Sequence, residues 1–243
     1  MPKTPRAVFI DAGNTLLHAV PAVDVRYAEA GRRHGLAVTP AQIKQVYEPL
    51  WHQFRARRER ELFTTTPAGT RDFWRSFVAA IFEPWRDRID DFEQMFGELF
   101  DGFAATSAWQ LFDDAVPSLQ RLQQRNVRLA VVSNWDYRLN RILDQLDIAR
   151  YFDAVLISAD EGFEKPSAEL FGRACARLAI APDQVLHVGD NLVEDVHGAL
   201  AAGLQAAYLV RDIERAARQR AELGKDPRYQ VVTSLTELVN LLD

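Results

Sequence analysis

The chain has 243 residues, 48% of them hydrophobic and 26% charged, and carries a net charge of −5. This length buries a substantial core, in one large domain or two unequal ones, and the acidic balance gives no electrostatic footprint for nucleic acid. Cys175 is the only cysteine, so an internal disulfide is excluded and a buried, inert thiol is expected. No apolar run approaches the ~18 residues that a membrane span requires, and no signal-peptide apolar region precedes the first strand. A cytoplasmic protein is therefore expected, monomer or homodimer, without a membrane or nucleic-acid partner.

The first element is an apolar run at 7–10 that ends at Asp11 and a Gly-Asn-Thr turn. Such a run, bounded by turn residues, reads as a strand buried on both faces. From residue 21 to about 103 there is no convincing strand. Amphipathic stretches cover 23–34, a segment opening at Thr39-Pro40-Ala41-Gln42, 71–82 and 86–103. The Thr39 segment has the spacing of a capping box with proline at the first helical position. This block is rich in aromatic residues, among them Trp51, Phe54, Phe77, Phe82, Phe96 and Phe100, and reads as the core of an all-helical domain. The charge run 55–61 has the basic content of a phosphate patch, but its interleaved glutamates make it a solvated helix face.

After Trp109 helices and strands alternate. Helices are expected at 115–124, 138–146, 167–178 and 195–202, the last stopped by Gly203. Strands are expected at 127–132, 154–158, 185–188 and 206–210. Residues 211–228 are charged and lack a clear period, which predicts a mobile excursion or a short helix. A last helix at 235–242 follows Ser234 and Glu237, again at capping-box spacing. The rhythm predicts an α/β fold, a doubly wound parallel sheet formed by 1–17 and 110–243, with 18–109 inserted as a helical cap.

Three predicted strands end in polar residues. Asp11 follows the first, Ser133 and Asn134 end the next, and Asp190 follows a later one, with Asp195 five residues on. Lys165 lies in the Phe-Glu-Lys-Pro-Ser segment before a helix. Ligands of open α/β sheets bind at the carboxyl ends of the strands. Three carboxylates gathered there raise one another's pKa; a hard divalent ion such as Mg²⁺, which takes carboxylates, water and phosphate oxygens, relieves this. Lysine and a serine hydroxyl suit phosphate oxygens.

Taken in order, 7–17, Val-Val-Ser-Asn at 131–134, Glu-Lys-Pro at 164–166 and His-Val-Gly-Asp-Asn-Leu-Val-Glu-Asp at 187–195 resemble the haloacid dehalogenase-like hydrolase superfamily. The resemblance is to the group with an α-helical cap inserted into a Rossmann-like core after the first motif. The last segment is most similar to the branch of rhythmically expressed gene 2 protein and haloacid dehalogenase-like hydrolase domain-containing protein 3. The resemblance implies hydrolysis of a small phosphorylated metabolite through an aspartyl-phosphate. Asp11 matches the nucleophile, Ser133 the hydroxyl that binds a phosphoryl oxygen and Lys165 the lysine that steadies nucleophile and phosphate. Asn134 is placed beside them as a substrate-binding residue. Asp11, the Gly13 carbonyl and Asp190 match the Mg²⁺ ligands, and Asp195 the acid that orients metal-bound water or the lysine.

The departure is Gly13, where superfamily phosphatases carry the aspartate that protonates the leaving group. A positioned general acid contributes about 10²–10⁴ in rate, so weak activity is implied. His18 is the nearest replacement acid in the sequence, with a hinge or core histidine as the alternative. Asp24, Trp135 and Asp136 are further candidates for residues facing the cleft. The superfamily's exceptions supply other readings: dehalogenation, whose last motif lacks the Gly-Asp found here; phosphonate hydrolysis through a cap lysine, for which Lys44 is the candidate; and a retired domain that only binds phosphate ligands or partners.

Overall fold

The computed structural model describes residues 4–58, 67–223 and 228–242; the side chains at 52, 55–58 and 67 are not described. The charge run 55–61 thus lies outside the described side chains. The chain divides into two units, Met1–His18 with Leu111–Asp243, and Ala19–Gln110. It passes between them through β2 (Leu17–Ala19) and, on the return, β3 (Trp109–Leu111), which pair with each other in a two-stranded sheet.

The larger unit begins with β1 (Ala7–Ile10) and resumes after β3 with α5 (Ala115–Gln124), numbering helices in chain order with α1 to α4 in the smaller unit. Then come β4 (Arg128–Ser133), α6 (Arg138–Gln145), β5 (Ala154–Ile157), α7 (Ser158–Glu161), α8 (Ala168–Arg177) and β6 (Val185–Gly189). A π-helical turn, Leu192–His197, leads into α9 (Gly198–Ala201), followed by β7 (Gln205–Leu209), α10 (Ile213–Leu223), β8 (Gln230–Val232) and α11 (Leu235–Leu241). The sheet runs β5-β4-β1-β6-β7-β8 with every pair parallel. This is the doubly wound α/β class that the sequence rhythm implies. β1, β4 and β6 are almost wholly buried apolar strands, as a sheet covered on both faces requires.

Register is what builds the site. Ile10 pairs with Val131 on one side and Val188 on the other, so three strands end within two residues of the same level. Asp11 continues the ladder, its amide donating to the Val188 carbonyl at 3.0 Å. The polar residues that terminate β1, β4 and β6 therefore emerge side by side.

The smaller unit holds α1 (Val23–Arg33), α2 (Pro40–Arg58), α3 (Pro67–Phe82) and α4 (Phe92–Gly102), with a 3₁₀ turn at Glu83–Arg88. The capping box forms: the Thr39 amide donates to Gln42 Oε1 at 3.0 Å, and the Gln42 amide to Thr39 Oγ1 at 3.3 Å. The aromatic residues form its core. Phe77 is fully buried, and its ring meets those of Tyr47, Trp51, Phe54 and Trp74 at centroid distances of 5.0–6.0 Å.

Several element boundaries depart from the sequence expectation. The helix expected at 86–103 is broken at 89–91, because Asp91 caps a new helix by accepting from the Gln94 amide at 2.9 Å. The helix expected at 195–202 starts at Leu192, since Asn191 Oδ1 accepts from the amides of both Val193 and Glu194. Of the two readings open for 211–228, the described residues hold the helix, α10; Asp212 opens it by accepting from the Arg215 amide at 2.8 Å. The short strands β2, β3 and β8 carry three residues each, too few for a period to register. Cys175 is buried and free, and burial pushes its thiol up to about 11, in keeping with an inert thiol.

Candidate active site

Asp11 stands at the centre of the arrangement. Its Oδ1 accepts from Ser133 Oγ at 2.9 Å and from Lys165 Nζ at 2.7 Å. Lys165 Nζ also donates to Asp195 Oδ1 at 2.5 Å. The Asp195 carboxylate is further held by the Asn191 amide on Oδ2 at 2.9 Å and by His187 Nε2, 3.0 Å from Oδ1. Asp195 needs a glycine beneath it: a Cβ on Gly189 would lie 2.2 Å from its Cγ. Ligand oxygens of Asp11, Asp190 and Asp195 all fall within 4.8 Å of one another.

The electrostatics follow from three carboxylates gathered around one ammonium. Burial pushes Asp11 above the ordinary carboxylate range against the pull of Lys165. Burial, with the charges of Asp11 and Asp195, carries Asp190 up to about 7. Burial would lower the Lys165 ammonium, but the two carboxylates beside it outweigh that and hold it above the usual lysine range. Asp195 goes the other way: burial opposes ionisation, yet Lys165 and His187 together keep it well below the carboxylate range. Negative charge thus exceeds what Lys165 neutralises, and Asp11 and Asp190 hold their protons to higher pH in consequence. An oxygen-rich, over-acidic cluster of this kind fits a hard divalent cation. The Gly13 carbonyl accepts no hydrogen bond among the described residues and is available as a further oxygen donor.

Asn134 stands apart from the role expected of it. Its side chain is committed to the Lys165 loop, accepting from the Lys165 amide at 2.7 Å and donating to the Lys165 carbonyl at 2.9 Å and to Glu194 Oε2 at 3.1 Å. It fixes the lysine instead of offering a free amide to a substrate. His18 is half-buried and packs on Phe112, ring centroids 4.7 Å apart, with no hydrogen bond to the acidic cluster. Asp136 is buried in an ion pair with Arg138, 2.6 Å between Oδ2 and Nη2, so its carboxylate is occupied. Asp24 lies in the first turn of α1. Lys44 is largely exposed and lies 3.7 Å from Glu48, an ordinary surface pair without the desolvation that makes a lysine amine nucleophilic.

At Gly13 the structure adds what sequence could not supply. Its φ is not in the left-handed region, so no backbone conformation demands glycine there. The restriction is steric: a Cβ would meet Trp135 Cζ3 at 3.2 Å and Cε3 at 4.0 Å. Trp135 is held through its backbone, its carbonyl accepting from the Ser158 hydroxyl at 3.1 Å and the Ala159 amide at 3.2 Å. His187 was given no role by the sequence reading. Its one signal was a polar residue in the otherwise apolar strand Val-Leu-His-Val-Gly.

The model of the haloacid dehalogenase-like hydrolase family matches residues 5–203. The chain belongs to this family. Haloacid dehalogenase-like hydrolase domain-containing protein 3 of Mus musculus is 29% identical over 238 residues, covering 96% of this chain and 92% of the mouse protein, which agrees with the branch indicated by the last motif. Phosphoserine phosphatase of Thermus thermophilus is 27% identical over 229 residues, covering 86% and 90%. Among solved structures, the HAD-hydrolase YfnB of Bacillus subtilis bound to magnesium covers 99% of both chains with a TM-score of 0.72 at 22% identity; this likeness is one of fold. The family makes the chain a hydrolase, and no described helix is long and apolar enough to cross a membrane.

Proposed function

We propose that the chain is a Mg²⁺-dependent hydrolase of small phosphate monoesters that works through an aspartyl-phosphate on Asp11. The observation that carries this reading is the continuous linkage Ser133–Asp11–Lys165–Asp195 beside Asp190. Lys165 and Ser133 occupy Asp11 Oδ1, which leaves Oδ2 as the attacking oxygen. Attack forms the Asp11–phosphorus bond as the ester P–O bond breaks, and the leaving group departs with the bonding pair. Water then attacks phosphorus, returning the Asp11 carboxylate and releasing inorganic phosphate. Ser133 Oγ and Lys165 Nζ would hold phosphoryl oxygens, Asn134 would orient Lys165, and Asp195 would keep the ammonium charged. Asp11, the Gly13 carbonyl and Asp190 would hold Mg²⁺, which supplies neutralisation of phosphoryl charge when bound.

No carboxylate at position 13 is present to protonate the leaving group. Activity should therefore favour esters of acidic alcohols and phenols, which leave without a proton. The helical insertion 18–109 is proposed to be the cap that selects the substrate. The phosphatase named among the relatives supports phosphate esters as the substrate class. Gly13 favours a second reading, a domain that binds phosphate ligands without turning them over. A panel of phosphorylated metabolites assayed with and without Mg²⁺ separates the two: metal-dependent release of phosphate from any member supports the hydrolase, and binding without release supports the alternative.

A further inference from the structure

Burying a histidine in the middle of an apolar strand is unfavourable unless its ring is used. His187 is 0% exposed within β6. Its strand neighbours in register are Phe9 and Ala206, and the Phe171 ring meets it edge-on at 5.0 Å. Its Nδ1 is buried and accepts no hydrogen bond among the described residues, a desolvated acceptor left without compensation. Everything the ring gives back passes through Nε2, 3.0 Å from Asp195 Oδ1. Asp195 Oδ1 is the oxygen that also takes the Lys165 ammonium, while Oδ2 takes the Asn191 amide. An ionised carboxylate only accepts, so Nε2 carries a proton; the fully buried ring, whose pKa burial lowers, is neutral, which leaves the lone pair on Nδ1.

We infer that His187 is a positioning residue: by donating from Nε2 to Asp195 it fixes that carboxylate, and through it the Lys165 ammonium that bridges to Asp11. The inference rests on the proposed role of Asp11 as nucleophile. Three donors converge on Asp195 from different elements, β6, the loop after it and the loop before α8. Without the histidine, Asp195 keeps Lys165 and the Asn191 amide but loses the constraint that sets the direction of Oδ1. Lys165 then shares its protons between two carboxylates, one of them held by one donor fewer. The unpaired Nδ1 argues against a purely structural reason for the residue, because an apolar side chain of similar size would fill the same space without burying an unsatisfied nitrogen.

The test compares wild type with His187→Phe, His187→Gln and His187→Asn. Phenylalanine keeps the ring packing and removes the donor; glutamine puts an amide N–H near the Nε2 position, and asparagine only near Nδ1. In Mg²⁺-dependent hydrolysis of p-nitrophenyl phosphate, His187→Phe is expected to lose kcat by about 10-fold with KM little changed, and its Tm to stay level or rise. His187→Gln should recover most of the lost kcat and His187→Asn should not. Histidine-labelled ¹⁵N spectra should report the Nε2–H tautomer for the buried ring, a readout independent of turnover. A His187→Phe variant with wild-type kcat, a glutamine variant no better than asparagine, or an Nδ1–H tautomer overturns the inference. A fall in Tm that accounts for the lost activity of His187→Phe overturns it as well. If the wild type turns over no phosphate ester, the proposed function fails. The same variants are then compared by calorimetric binding of inorganic phosphate with Mg²⁺, where about 10-fold weakening in His187→Phe, restored by glutamine, upholds the positioning role and unchanged binding refutes it.

Discussion

Substituting Gly13 by aspartate puts back the carboxylate that phosphoester hydrolysis lacks in this chain. Its consequence can be worked from the structure. The backbone raises no objection, because φ at Gly13 lies outside the left-handed region. The obstacle is the Trp135 ring, whose Cζ3 is 3.2 Å from the new Cβ and must yield by a few tenths of an ångström. Such overpacking costs about 1 kcal/mol, the low end of what added core atoms typically cost. A positioned general acid at the low end of its range contributes about 10²-fold, or ~2.7 kcal/mol of barrier. The steric penalty falls on folding stability and the gain on the barrier, so a variant that stays folded keeps the gain. The gain must be selective: alkyl and sugar phosphates need the proton, whereas p-nitrophenyl phosphate does not. Gly13→Asp should raise kcat/KM for an alkyl phosphate by up to about 10² and leave the aryl ester within a few-fold. Removing the contact in Gly13→Asp/Trp135→Ala should preserve or enlarge the difference. Folded, metal-binding single and double variants with no selective gain for the alkyl ester would refute the missing-acid account. So would a wild-type chain that hydrolyses alkyl phosphates as readily as aryl ones.

Asp190 gives a pH-dependent prediction. Its folded pKa is raised to about 7 from an unfolded value near 4, so its contribution to stability is complete below ~4 and is lost as the pH rises through 7. At pH 7.5 without metal, Asp190→Asn should therefore stabilise the protein, by about 2 kcal/mol after allowance for coupling to the other two carboxylates. Urea unfolding checks this, and an Asp190→Asn variant less stable than wild type would contradict it. In wild type, Mg²⁺ at 100-fold over its Kd should add about 2.7 kcal/mol, read as a rise in Tm that Asp190→Asn abolishes; an equal rise in both would place the ion elsewhere. In the helical unit, Phe77→Ala should cost about 3–5 kcal/mol, because four aromatic rings close on Phe77; a loss under ~1 kcal/mol by urea unfolding would contradict that packing.

Much of the sheet was legible because parallel strands covered on both faces write continuous apolar runs. Those at 7–10 and 185–188 needed no tertiary information. The capping residues Thr39 and Ser234 announced their helices through local side-chain chemistry that the structure reproduces. What escaped was set by longer range or by brevity. The three-residue strands β2, β3 and β8 carry too little pattern. The break before α4 depends on which of two consecutive aspartates turns inward to cap. In the site, the convergence of Asp11, Ser133 and Asp190 could be anticipated from strand ends, and that of Lys165 and Asp195 from the motifs around them. The identity of each partner could not. Asn134 is expected to bind substrate beside Ser133, whereas its amide clamps the Lys165 loop, 31 residues away. The steric role of Trp135 over Gly13, and the use of His187 by Asp195, exist only once the chain is folded.

The measurement that bears most directly on the account is turnover of p-nitrophenyl phosphate by wild type and by Asp11→Asn, with Mg²⁺ and with chelator, together with the mass of the acid-quenched protein. Wild type should release p-nitrophenol only with Mg²⁺, and quenching during turnover should trap a phosphoryl adduct on Asp11. The asparagine variant, folded and unchanged in its helical unit, should do neither. Equal turnover by Asp11→Asn, undiminished activity in chelator, or an adduct on any other residue would contradict the assignment of Asp11 as nucleophile.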